Sequence, residues 1–306
     1  MYTKFKYLLP LALLATMTEV SAQVLKLAGV DYLYYPKVRL NDDGSSLQVS
    51  FQELNSYINI PMKLKNDRTF LVNGVQFSLL EATSFSDSST NEYKQKFYKL
   101  SYSFMVIHRL TEKWVLISRF SPTLASDFGD KLNSDDFLMQ GFLLANKQIN
   151  QKLMAGGGLI YTTRLGKPML LPGLQLKYEH GRHQFFTFLP ATIDYNYRLT
   201  REEKLWVGFK TVLNGANFNS SVDNFYGSIP VDRLNYVVAN FGPTVRYRFA
   251  KIVQLEIFGG FNAMRRYRFE DGHSTVHTYS SQSSSSFSVG LTIVPPTKKS
   301  ASQNQE

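Results

Sequence analysis

The chain has 306 residues, of which 43% are hydrophobic and 14% aromatic, with no cysteine and a formal charge of +10. Without cysteine there is no disulfide stapling, no thiolate chemistry, no Cys-based metal site and no lipid anchor on a processed amino-terminal cysteine. The positive balance contains no Lys/Arg block of five or more and so argues for anionic lipid rather than nucleic acid.

The amino terminus comes first. Lys4 and Lys6 precede the apolar stretch Leu8-Leu9-Pro10-Leu11-Ala12-Leu13-Leu14, and Val20-Ser21-Ala22 ends it. Residues 1–22 therefore read as a signal peptide cut before Gln23. The apolar stretch is about half the ~20 residues of a spanning helix, and nothing after residue 22 reaches that length, so helical membrane spans are excluded. Residues 23–296 read as one domain and residues 297–306 as a polar, disordered tail.

Within that domain, strands are predicted near 24–38 and 46–64, separated by a polar loop from Asn41 to Ser45. The turn Asn66-Asp67-Arg68 leads to a strand at 69–84, and the loop Ser86 to Gln95 leads to one at 96–110. Thr111-Glu112-Lys113 precedes 114–127, and Phe128 to Ser134 precedes 135–149. Asn150-Gln151-Lys152 introduces 153–163, and Arg164 to Leu170 introduces 171–179. His180-Gly181-Arg182-His183 gives way to 184–189, and Pro190-Ala191 to 192–199. Thr200 to Lys204 precedes 205–217, Asn219 to Arg233 precedes 234–249, a break at Lys251 precedes 253–269, and Asp271 to Ser284 precedes 285–294.

The strands show one-for-one alternation of apolar and polar residues. In Tyr98-Lys99-Leu100-Ser101-Tyr102-Ser103-Phe104 the aromatic and aliphatic side chains share one face and the lysine and serines the other. Tight turns and longer loops succeed one another, as in outer-membrane barrels with short periplasmic turns and long extracellular loops. The fold class expected is all-β, a transmembrane antiparallel up-and-down β-barrel of 12–14 strands, with fourteen if Pro190 marks a true turn. The rival is a soluble β-sandwich or barrel with the apolar face as its core. Strands of 12 to 16 residues exceed the ~5–6 usual in sandwiches, which favours the membrane form, and the 18 Tyr and 23 Phe suit its interfacial girdles.

If the apolar faces meet acyl chains, the opposite faces look into a polar lumen, since a one-residue slip would put charges in lipid. That assigns Lys99, Arg119, Lys177, Arg198, Lys210, Arg246 and Arg248 to the lumen with Glu179, Asp194 and Glu256. A narrow lumen so charged favours anions; alternatively these residues pair with one another as a salt-bridge plug.

The stretch from Ile58 to Lys65, the segment Leu71 to Phe77, Phe188-Leu189-Pro190 and Leu205-Trp206-Val207-Gly208 together resemble an uncharacterised outer-membrane β-barrel family of Bacteroidota. The resemblance covers nearly the whole mature chain. It implies fold and location and brings no catalytic or binding residues. The carboxyl end departs from outer-membrane habit, because Val294-Pro295-Pro296 is followed by ten polar residues rather than a terminal aromatic.

Other constellations read as structure. His180 and His183 flank a hairpin turn that Gly181 supports, and turn chemistry explains them better than a shared metal. His273 and His277 lie in a hydroxyl-rich loop, where a lipase-like triad would need a positioned base and orienter that spacing does not supply. Asn41-Asp42-Asp43-Gly44 and the group Asp127, Asp130, Asp135 and Asp136 suit turns better than a Ca²⁺ loop. Gly156-Gly157-Gly158 lacks the Lys-Ser or Lys-Thr of a phosphate cradle and fits close strand packing. No catalytic residue, metal or cofactor is assigned. The expectation is a monomeric, porin-like barrel in the outer membrane of a Gram-negative bacterium, surrounded by lipid and lipopolysaccharide. It is a narrow channel for small or anionic solutes or, alternatively, a non-conducting barrel that binds through its extracellular loops.

Overall fold

The computed structural model describes residues 26–41, 48–85, 92–165, 167–221, 231–250, 252–272 and 274–295. The expected signal peptide, the carboxyl-terminal tail, Asp42-Asp43-Gly44 and His273 lie outside these residues. The strands are β1 (Ala28–Asn41), β2 (Gln48–Lys63), β3 (Thr69–Phe85), β4 (Glu92–Arg109), β5 (Trp114–Ser126), β6 (Phe137–Asn150), β7 (Leu153–Thr162) and β8 (Met169–His180). They continue as β9 (His183–Leu189), β10 (Thr192–Arg198), β11 (Leu205–Asn219), β12 (Arg233–Arg248), β13 (Val253–Asp271), β14 (Ser274–Ser281) and β15 (Ser284–Ile293).

From β1 to β14 each strand pairs antiparallel with the next, and β15 pairs with both β13 and β1, so the sheet closes on itself. β14 and β15 occupy one position between β13 and β1, which gives a barrel of fourteen staves. The Pro190 join is a true hairpin, with Thr192 opposite Phe188. One expectation is corrected here: most of the span Asp271 to Ser284 is strand rather than loop. Its hydroxyl-rich sequence shows no alternation, but it is held by the overhanging end of β13, where Tyr267 pairs with Tyr279 and Phe269 with His277.

Several tight turns are built by the first side chain of the turn. The Asn66 amide oxygen accepts the backbone N–H groups of Arg68 and Thr69 at 3.1 and 3.0 Å, and Asn150 does the same for Lys152 and Leu153 at 2.9 and 3.0 Å. The hydroxyl of Thr200 accepts from Lys204 and Leu205 at 3.0 and 3.1 Å. These side chains mimic a backbone turn and fix the register of the hairpins they join. At the β8–β9 hairpin, Gly181 instead supplies a left-handed residue at φ +59°.

The outer surface is apolar. Leu100, Tyr102 and Phe104 of β4 are exposed while Lys99, Ser101 and Ser103 are buried. Phe241, Val245 and Tyr247 of β12 are exposed while Asn240 and Thr244 are buried. This is the inverse of a water-soluble barrel, and an apolar surface that encircles the molecule belongs in a bilayer.

The interior is not uniformly polar, which corrects the expected polar lumen. Along β12 the inward face runs Leu234, Tyr236 and Val238 toward the long-loop rim, then Asn240, Thr244, Arg246 and Arg248 toward the short-turn rim. The apolar half forms a buried cluster across the barrel. The Phe51 ring stacks on Tyr267 at 5.0 Å and on Tyr236 at 5.9 Å, and Phe97 of β4 meets Phe218 of β11 at 5.1 Å. Aromatic pairs at this spacing add to the burial of their area.

Above this cluster the wall is drawn together. Asn219 of β11 pairs with Ser126 of β5 in parallel register, although five strands lie between them. The Asp127 N–H donates to the Asn219 carbonyl at 3.2 Å, and Asn219 Nδ2 donates to Asp136 Oδ1 at 2.9 Å. The wall from β7 to β10 is lower, with strands of 10, 12, 7 and 7 residues against 13 in β5 and 15 in β11, so those two join over it.

Candidate functional site

The half of the barrel toward the short turns holds polar cavities, and nine of the ten charged residues turned away from lipid in the alternation border them. Lys99 and Arg119 line a cavity of about 400 Å³ beneath the aromatic cluster. Lys177, Glu179, Asp194, Lys210, Arg246 and Arg248 line a second, of about 300 Å³, reaching Val294 and Pro295 at the turn end. Glu256 and Lys210 border a third, of about 190 Å³. Lys26 borders all three, so they form a chain along the barrel interior.

Arg198 stands apart. Its guanidinium pairs with Glu203 and donates to the Gly181 carbonyl at 3.0 Å, which places it in the turn rim.

The strand pairings explain the strongest cluster. Lys210 of β11 lies opposite Asp194 of β10, and Glu256 of β13 opposite Arg246 of β12. Cross-strand partners on one face are close enough for ion pairs. Arg246 Nη2 meets Asp194 Oδ2 at 2.6 Å, its Nε meets Glu256 Oε2 at 2.5 Å, and Lys210 Nζ reaches Glu256 Oε1 at 2.7 Å. Lys177 and Glu179 approach only to 3.9 Å, and the Arg248 guanidinium lies over the Trp206 ring at 5.2 Å. This part of the interior is thus a paired network, while the cavity around Lys99 and Arg119 is not. Neither of those two side chains has a carboxylate within ion-pair distance among the described residues, and Arg119 Nε donates to the Ser121 hydroxyl at 3.0 Å.

The sequence reading missed four interior charges, Lys26, Asp31, Glu53 and Arg164. Asp31 and Glu53 carried a usable signal, since each sits beside an exposed apolar neighbour, Tyr32 and Leu54. Arg164 carried none, because it follows β7 in a loop.

The remaining constellations are spent on local structure. His180 and His183 face each other across the hairpin, and His183 Nδ1 lies 2.8 Å from the Tyr195 hydroxyl. Asp127 accepts from the Ser221 N–H and hydroxyl at 2.9 and 2.8 Å. Asp136 is buried at the rim, where it accepts the Asn133 N–H at 2.7 Å and closes a short 3₁₀ turn, Ser134–Asp136. Burial opposes ionisation of its carboxyl, but hydrogen bonds from Ser126, the Asn133 backbone and Asn219 outweigh it and hold its pKa below the usual aspartate range. Gly156-Gly157-Gly158 lies within β7, paired with β6 and β8.

Comparison with known proteins adds a family. A domain of unknown function, DUF6268, matches residues 18–294, and the chain belongs to that family. No curated protein matches its sequence. Among solved structures it is similar to an outer membrane channel from Pseudomonas putida F1, at 12% identity over 91% of this chain and 99% of that one, with a TM-score of 0.44. It is also similar to a mutant of the TodX monoaromatic hydrocarbon channel, at 11% identity over 87% and 89%, with a TM-score of 0.47. A third is the NanC porin, at 9% identity over 87% and 98%, with a TM-score of 0.33.

Proposed function

We propose that this DUF6268 barrel is an outer-membrane channel of a Gram-negative bacterium, reached by way of a cleaved signal peptide, and that it passes small anionic solutes as a monomer. The observation that carries the reading is the unpaired cationic cavity enclosed by a wall whose outside is apolar. A lipid-facing belt fixes the environment, and an interior with cations left over after internal pairing attracts anions from both sides. The linked cavities supply most of a path, which opens toward the turn rim. The aromatic cluster under the long-loop rim is its closed end, so conduction requires those side chains or the β7–β8 loop to shift.

That same cluster favours a second reading, a non-conducting barrel whose outer loops bind a partner. Single-channel recording in planar bilayers separates the two. A folded, heat-modifiable sample should give discrete current steps, and in a salt gradient its reversal potential should show anion preference. Total absence of current would remove the channel reading and leave the loop-binding one, whereas cation preference would overturn the role given to Lys99 and Arg119.

A further inference from the structure

The lining of the 400 Å³ cavity is chemically mixed. Its cations are Lys26, Lys99, Arg119 and Arg164. Lys99 is 8% exposed, inside a closed barrel, and has no hydrogen-bond or ion-pair partner among the described residues. An ammonium so enclosed is costly unless something neutralises it. Arg164 comes from the β7–β8 loop, and its position is built in. The loop backbone rests on Gly215 of β11, where a Cβ would stand 2.1 Å from the Arg164 carbonyl oxygen and 2.8 Å from that of Tyr236. Any side chain at Gly215 would push the loop, and Arg164 with it, out of place.

The same lining also presents acceptors. Glu53 Oε2 accepts the Tyr236 hydroxyl at 3.0 Å, and Asp31 Oδ2 accepts Asn55 Nδ2 at 3.1 Å. Asn55 Oδ1 is buried and has no partner. Buried acceptors of this kind call for donors.

From this juxtaposition we infer that the cavity is a binding site for a hydroxylated carboxylate of hexose size, a sugar acid such as a hexuronate, held by its carboxylate between Lys99, Arg119 and Arg164 and by its hydroxyls at Asn55, Asp31 and Glu53. The volume falls in the range of small-ligand pockets, roughly 300–1,000 Å³. A carboxylate among guanidinium and ammonium groups makes charge-assisted hydrogen bonds. Hydroxyls donating to an unfilled amide oxygen and to carboxylates supply the discrimination, since a ligand lacking them leaves those acceptors unpaired. This inference deepens the channel reading, giving its anion a class.

The test is calorimetric titration of the folded full-length barrel in detergent with glucuronate, glucose, acetate and inorganic phosphate, with single-channel recording of the same preparation. Glucuronate should bind at least tenfold more tightly than each of the others. Lys99→Met and Arg119→Met should each weaken glucuronate by about tenfold, the loss of one charge-assisted contact, and Lys152→Met in an exposed turn should not. Should Lys99→Met fail to fold, Arg164→Met on the loop carries the same test. Acetate or phosphate binding as tightly as glucuronate, or no glucuronate binding by a conducting sample, overturns the site and leaves the channel. Glucuronate binding by a sample that passes no current establishes the site and removes the channel.

Discussion

Arg246→Met tests the energetics of the interior network most directly. Arg246 is the only one of its four members that contacts two carboxylates, and the side chains of Arg246, Asp194 and Glu256 retain 15%, 14% and 13% of their exposure. Breaking a buried pair by removing one partner costs about 3–5 kcal/mol, because a charge is left without compensation. Glu256 would keep Lys210 at 2.7 Å, whereas Asp194 would keep only the Asn196 amide at 3.0 Å. One carboxylate is stranded rather than two, which places the expected loss at about 2–3 kcal/mol. Lys210→Met strands nothing outright, since Glu256 still holds Arg246, and should cost about 1 kcal/mol or less. The assay is reversible urea unfolding in lipid vesicles followed by tryptophan fluorescence, with Trp206 beside the network as reporter. Adding Asp194→Asn to Arg246→Met should recover stability, because the stranded charge is gone. A loss of under about 0.5 kcal/mol for Arg246→Met, the range of a surface pair, would refute the reasoning, as would a larger loss for Lys210→Met.

Leu100→Arg, at an exposed position midway along β4, should destabilise the barrel in vesicles by about 2–4 kcal/mol, the cost of a lipid-facing arginine near the midplane; unchanged unfolding would mean that this face meets water. At the rim, Asp136 holds its depressed pKa only when folded, so its contribution is present above the ordinary aspartate range and is lost as pH falls through it toward the folded value. Limited proteolysis of the outer loops of vesicle-embedded protein should therefore accelerate on acidification, and Asp136→Asn should be cleaved faster at neutral pH with much of that acid dependence removed. Equal pH profiles for the two proteins would show that the rim does not depend on this carboxylate.

The barrel wall was legible because lipid outside and water inside impose opposite demands on neighbouring residues, as at Tyr98 to Phe104. The turns were legible because Asn66, Asn150 and Thr200 carry the geometry in single side chains. The aromatic half of the interior was not. At Phe51, Tyr236 and Tyr267 the inward residue is as apolar as an outward one, and hydrophobicity alone cannot tell which surface it will meet. β14 escaped for a related reason, since its serines and threonines carry no periodic signal and owe their strand conformation to the reach of β13. The contact between Ser126 and Asn219, like the delivery of Arg164 over Gly215, joins residues dozens of positions apart with no local trace in the sequence.

The meeting of β5 and β11 over the low wall ties construction to completion. β11 arrives late in the chain, after every strand of the lower side, and its far end must find a partner laid down some ninety positions earlier. Contacts of such long separation form against a substantial loss of chain freedom and belong to the slower steps. Until that handshake is made, Phe218 has no Phe97 to rest against, so bridging the low wall and filling the upper storey are a single event, separate from the β1–β15 pairing that closes the cylinder.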